Sequence, residues 1–163
     1  MAGKRGSAKS LAEREFTITR IVDAPRSLVF KAWTDPEHIE HCYAPRGYTI
    51  TVFEWDSTPG GLIWLVMREA DGTEYPIGGA FREVVEPARL VLTELCLDRE
   101  ARLLFKSPTI VTFAERAAKT ELTVQVRAIA LDEIGVPMIG GMDQGWTETL
   151  DCLDQFVATL VKT

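Results

Sequence analysis

GWTETLDCLDQFVATL, residues 145–160, repeats apolar side chains at Trp146, Leu150, Leu153, Val157 and Leu160, the spacing that lays one stripe along an α-helix. Glu148, Asp151, Asp154 and, further on, Lys162 take the other face. Such a helix needs a surface on which to bury its stripe, and the residues before it supply a sheet. From Tyr48 to Ala128, runs of β-branched and aromatic residues are broken by Pro59-Gly60-Gly61, Asp71-Gly72, Glu86-Pro87 and Ala117-Ala118-Lys119. Strands are predicted over 48–56, 62–69, 74–85, 89–96, 108–116 and 120–129, with Asp71-Gly72 the strongest hairpin signal. Residues 97–107 carry the weakest pattern.

Nearer the start, Phe16, Ile18 and Val22 alternate with Thr17 and Thr19, predicting a half-buried strand over 16–22 that puts Arg20 on the apolar face. Pro25 suits the first turn of a helix carrying Leu28, Val29, Ala32 and Trp33, and Pro36 opens a second short helix that ends near Glu40. Layer logic then gives an α+β fold: a curved antiparallel seven-stranded sheet around a long C-terminal helix, with two short helices after the first strand. A gap between sheet and helix in that arrangement is a cavity.

The whole chain has 163 residues, 46% of them hydrophobic, which fits one domain able to bury roughly 70% of its unfolded surface. Residues 1–15 read as a basic arm and 16–163 as a single domain. The net charge of −6 argues against broad phosphate neutralisation, so no nucleic acid is expected. Charged residues interrupt every apolar run, so no membrane span is expected. The first ten residues lack the apolar stretch of a secretion signal, which predicts a cytoplasmic protein. Cys42, Cys96 and Cys152 are an odd, widely spaced set, for which reduced thiols are the expectation.

Several segments carry a resemblance. Thr19-Arg20-Ile21-Val22-Asp23-Ala24-Pro25, the run Val29 to Ile39, Asp56-Ser57-Thr58-Pro59-Gly60-Gly61, the run Phe81 to Leu90, and Gly145 to Leu150 resemble motifs of the domain related to the activator of the Hsp90 chaperone ATPase. The resemblance spans roughly residues 16–160 and implies the helix-grip fold of the START and birch-pollen-allergen superfamily, in which a seven-stranded sheet grips a long helix around an apolar cavity. It implies binding or carriage of small apolar molecules, with polyketide cyclases among similar folds. Chaperone stimulation belongs to eukaryotic namesakes with an additional N-terminal domain. One departure touches the cavity mouth: Cys42-Tyr43-Ala44-Pro45 stands where such proteins commonly carry Trp-Trp-Gly-Pro.

The residues themselves offer little catalytic vocabulary. No nucleophile elbow, zincin helix, phosphate loop or dinucleotide fingerprint occurs. His38, Glu40, His41 and Cys42 could ligate zinc, but no distant ligand pair completes a site, so they read as helix-end residues and neither metal nor cofactor is expected. His41 and Cys42, adjacent on a helix, point about 100° apart and make a poor activated thiol. Arg20, on an inward face, needs a partner; Glu83 is the candidate, with Glu54 and Glu94 as alternatives, and a structural ion pair is preferred to ligand orientation.

The candidate ligand-binding set is Arg20, Trp33, His41, Tyr43, Trp55, Met67, Phe81, Phe105, Met138, Met142 and Trp146. Its aromatic and thioether surface suits a small apolar or aromatic ligand. Trp146→Ala is expected to cost ~3–5 kcal/mol as a core loss. A non-catalytic carrier or sensor is the first reading, a cyclase- or hydrolase-like enzyme using the same cavity the second, and a chaperone activator the third. Trp64, in the outward phase of its strand, together with the basic arm and acidic body, makes a homodimer a candidate assembly.

Overall fold

In the computed structural model, which describes residues 10–44 and 46–161, the alternation read from Phe16 to Val22 starts earlier, and strand β1 is Ala12–Val22. Arg14 therefore sits on a strand rather than in the arm. The expected arm residues 1–9 lie outside the described residues. Helix α1 (Arg26–Thr34) follows Pro25, and α2 (Pro36–Cys42) is opened by Asp35, whose carboxylate accepts the Glu37 N–H at 3.0 Å.

Six strands follow: β2 (Tyr48–Trp55), β3 (Leu62–Glu69), β4 (Glu74–Val85), β5 (Arg89–Leu97), β6 (Leu103–Arg116) and β7 (Lys119–Ala130). They form a consecutive antiparallel meander, and β1 closes onto β7 to give the order β1-β7-β6-β5-β4-β3-β2. The Asp71-Gly72 turn joins β3 to β4 as its sequence demands, with Gly72 at φ +94° and Asp71 accepting the Thr73 N–H at 2.9 Å. Helices α3 (Gly135–Gly140) and α4 (Met142–Val161) complete the chain. The core includes Leu65, Leu90, Leu92 and Val111 from the sheet, Val29 and Trp33 from α1, and Leu150, Leu153 and Val157 from α4.

Three expectations need correction. Strand β6 begins at Leu103, not 108: Ser107-Pro108 hides the pattern, and the ladder to β7 breaks at these two residues, where proline has no N–H to donate. Glu83 does not meet Arg20, because a bulge between Phe81 and Glu83 changes the phase of β4 and Glu83 instead pairs with Arg89 at 2.5 Å. Arg20 does face inward, and pairs with Asp151 of α4 at 2.8 Å, so its ion pair ties sheet to helix.

The third correction concerns the thiols. Cys42 and Cys152 form a disulfide, with Cα atoms 5.4 Å apart, that joins the end of α2 to α4 across 110 residues of sequence. No spacing rule links cysteines so far apart. Cys96 alone stays free, buried on β5.

Trp64 is 40% exposed, and its ring lies over its cross-strand neighbour Gly78, within 3.5 Å of where a Cβ would stand. Among the described residues, no helix is long and apolar enough to cross a membrane.

Candidate functional site

β5 presents Leu90, Leu92, Glu94 and Cys96 to the interior, at 0%, 0%, 7% and 2% exposure. One carboxylate thus stands in phase with three apolar side chains. Its cross-strand neighbours are Gly79 on β4 and Ser107 on β6. Gly79 is required there by the backbone, since a Cβ would lie 2.0 Å from the Thr93 carbonyl oxygen.

Glu94 forms part of the wall of a cavity of about 410 Å³ between the sheet and α3–α4. Met67, Ile77, Phe105, Met138, Met142 and Trp146 give it an apolar lining, with Ser107 and Thr149 among the polar groups. Arg46, Tyr48, Gln144 and Glu148 stand at its mouth. There the Arg46 backbone N–H and the Gln144 amide donate to the two Glu148 oxygens, each at 3.0 Å. Tyr48 donates to Glu69 at 3.0 Å, and burial with that bond raises its phenol to about 12.

Tyr43, the residue after α2, donates its hydroxyl to Glu94 Oε1 at 2.8 Å. Its ring is held edge-on against Trp33, Trp55 and Trp146 at centroid distances of 6.0, 5.1 and 5.7 Å. Glu94 Oε2 is enclosed and accepts no hydrogen bond. Burial lifts the Glu94 carboxyl from 4.5 to about 7 against the opposing effect of the Tyr43 bond. Burial first, then the Glu94 charge and bond, hold the Tyr43 phenol well above 10. Burial and Glu94 also push the Cys96 thiol to about 12, which makes it a poor nucleophile.

Of the residues expected at the site, Tyr43, Met67, Phe105, Met138, Met142 and Trp146 line this cavity. The others stand elsewhere. Trp33, Trp55 and Phe81 are 1%, 4% and 1% exposed and form an aromatic core beside it, with the Trp55 indole donating to the Trp33 carbonyl at 3.0 Å. His41 is exposed on α2 and stacks on Phe156, while Arg20 is engaged by Asp151. Trp146 stacks on Trp33 at 5.8 Å but is only partly buried, being part of the cavity lining. Sequence reasoning considered Glu94 only as an alternative partner for Arg20. Its signal was the inward phase shared with Leu90, Leu92 and Cys96.

The cavity wall at α3–α4 is pinned by Arg14 of β1. Its guanidinium donates to the carbonyls of Ile139 and Gly140 at 3.0 and 2.9 Å and to Asp143 at 3.0 Å. The bridge and hydrogen bond from Arg14 hold the Asp143 carboxyl below its usual range.

A seven-stranded sheet closed over a C-terminal helix, with a cavity between them, agrees with the resemblance carried by the sequence motifs. The family described as activator of Hsp90 ATPase homolog 1-like protein matches residues 23–158. The chain belongs to this family. Solved structures of similar fold include a protein from Chromobacterium violaceum, at 24% identity and TM-score 0.78, with 88% of this chain and 96% of that one covered. A protein of the same family name from Silicibacter pomeroyi has 20% identity and TM-score 0.75, covering 90% and 99%. One from Rhizobium leguminosarum has 24% identity and TM-score 0.77, covering 91% and 96%. At these identities the likeness is one of fold. No match was found among curated protein sequences. Within the Hsp90-ATPase-activator-like frame, the cavity and its Tyr43–Glu94 pair are what this chain's own residues contribute.

Proposed function

We propose that the protein binds a small apolar or aromatic molecule in the cavity between sheet and C-terminal helix, as a non-catalytic carrier or sensor. The observation that carries this reading is a cavity of about 410 Å³, open at one mouth, whose wall is mainly thioether, aliphatic and aromatic. Burying ~200 Å² of ligand apolar surface at ~25 cal/mol/Å² contributes ~5 kcal/mol before association costs. Three methionines in the wall let it adapt to ligand shape.

The test is titration with prodan, an uncharged naphthalene dye that brightens in apolar surroundings. Saturable one-to-one binding is expected, and Ser107→Phe, which puts a ring into the space beside Glu94, is expected to abolish it while the protein stays folded by circular dichroism. Dye binding unchanged by Ser107→Phe would overturn the reading.

A specific observation keeps an enzymatic reading in second place: a carboxyl with a value of about 7 inside the cavity, hydrogen-bonded to a phenol, is equipped to move a proton at neutral pH. Turnover of a molecule extracted from the purified protein would promote it. The family description names an activator of the Hsp90 ATPase. A chaperone contact would use the outer surface and leave Glu94 without a use, so it ranks third.

A further inference from the structure

Resting on that cavity reading, we propose that the ligand is an amphipathic amine, an apolar or aromatic body carrying one protonated nitrogen that Glu94 receives. Glu94 gave up its water to a wall of apolar side chains and regained one hydrogen bond, from Tyr43, while Oε2 accepts none. A buried carboxylate that serves only the fold is ordinarily matched by a cation or several N–H groups. Here the surroundings supply neither. Gly79 on β4 has no side chain, Ser107 on β6 and Thr149 on α4 offer hydroxyls, and Cys96 on β5 is a thiol held neutral. Tyr43 is likewise held neutral. The one basic side chain lining the cavity, Arg46, is 76% exposed at the mouth, 3.9 Å from Asp151. Among the described residues lining the cavity, the positive charge that would balance Glu94 is missing, and a ligand can bring it.

The rest of the wall suits an ammonium group as well as an apolar body. Trp146, Phe105 and Tyr43 put aromatic rings into the lining of the same space, and ring faces attract cations most strongly where water is excluded. The terminal torsion of a glutamate is broad, so the carboxylate can turn to adjust to a ligand without a change in its other side-chain torsions. The chain's net charge of −6 draws cations toward the protein and repels anions. A carboxylate ligand of the same shape would meet Glu94 as a like charge.

Three probes that share a body and differ only in the terminal group test this by calorimetric titration of the full chain at about pH 8, where an alkylamine is still protonated. Phenylbutylamine is expected to bind about tenfold to a hundredfold more tightly than phenylbutanol, the range for hydrogen bonds to a charged group, and phenylbutanoate weakest. Glu94→Gln is expected to bring the amine down to the alcohol while changing the alcohol by less than about threefold. Equal affinity of amine and alcohol for the native protein would overturn the proposal, as would an amine preference that survives Glu94→Gln. Prodan separates the two levels. Dye binding without preference for the amine sinks this proposal and leaves the cavity reading standing, whereas failure of the dye and all three probes sinks both.

Discussion

Replacing Glu94 by glutamine should make the protein more stable at neutral and alkaline pH, and the size of the gain follows from the burial of the carboxylate. The folded-state value is about 7 and the ordinary value 4.5. Below pH 4.5 both states hold the proton, and the group's contribution is fully present. As pH rises towards 7, the unfolded chain releases the proton while the folded chain keeps it, so stability falls by ~1.4 kcal/mol per pH unit. Above 7 both have lost it and the cost levels off at about 3 kcal/mol. Glutamine keeps an oxygen for the Tyr43 hydroxyl and never ionises. Urea unfolding of both proteins, followed by tryptophan fluorescence between about pH 4 and pH 8.5, isolates this one group, because the other titrating residues are common to both. The variant's stability relative to the native protein should rise by about 3 kcal/mol across the window. A difference that stays constant with pH would refute the reasoning, since it would mean that Glu94 titrates alike in both states and is not held in an apolar wall.

Other expectations concern the frame around the cavity. Reducing the Cys42–Cys152 bond, or making Cys152→Ser, should lower stability by about 2–5 kcal/mol, because the bond closes a long loop in the unfolded chain. Intact mass after alkylation without reductant should show Cys96 modified only once the protein is unfolded. Trp33→Ala should cost about 3–5 kcal/mol in denaturant unfolding as a core loss. Trp146→Ala should cost less than that and enlarge the cavity, seen as tighter binding of a bulkier dye; equal costs would contradict the partial burial of Trp146. Arg14→Ala should speed amide hydrogen exchange at residues 138–145 while leaving β3 and β4 protected, and uniform acceleration would mean that Arg14 does not act locally.

The elements that could be read from the sequence are those whose local chemistry agrees with their tertiary role. Asp71-Gly72 makes the same turn in any sheet, and Leu150, Leu153 and Val157 point one way on any helix. Strand β6 could not be bounded, because Lys106-Ser107-Pro108-Thr109 breaks the apolar alternation where the strand lines a cavity instead of a packed core. For the same reason the site was half legible. The methionines and aromatics of the lining are apolar residues in their expected phase, but apolarity alone did not separate Trp33, Trp55 and Phe81 in the core from Trp146, Phe105 and Met67 around the space. Volume that is absent leaves no mark in composition. Glu94 was visible as a charge on an inward register, yet its meaning depended on which side chains failed to come near it. The disulfide depended on the approach of α2 to α4, a property of the finished fold.

That bond also decides where the molecule can breathe. It clasps α2 to α4 one residue from Tyr43, fastening the seam beside the acidic end of the cavity. Another part of the wall is the junction of α3 and α4, where Gly140 and Gly141 have open space around them and one arginine holds the backbone. The glycine pair between Met138 and Met142 is therefore the stretch of wall with the fewest side-chain restraints, and the bonds from Arg14 are what tie its backbone to the sheet.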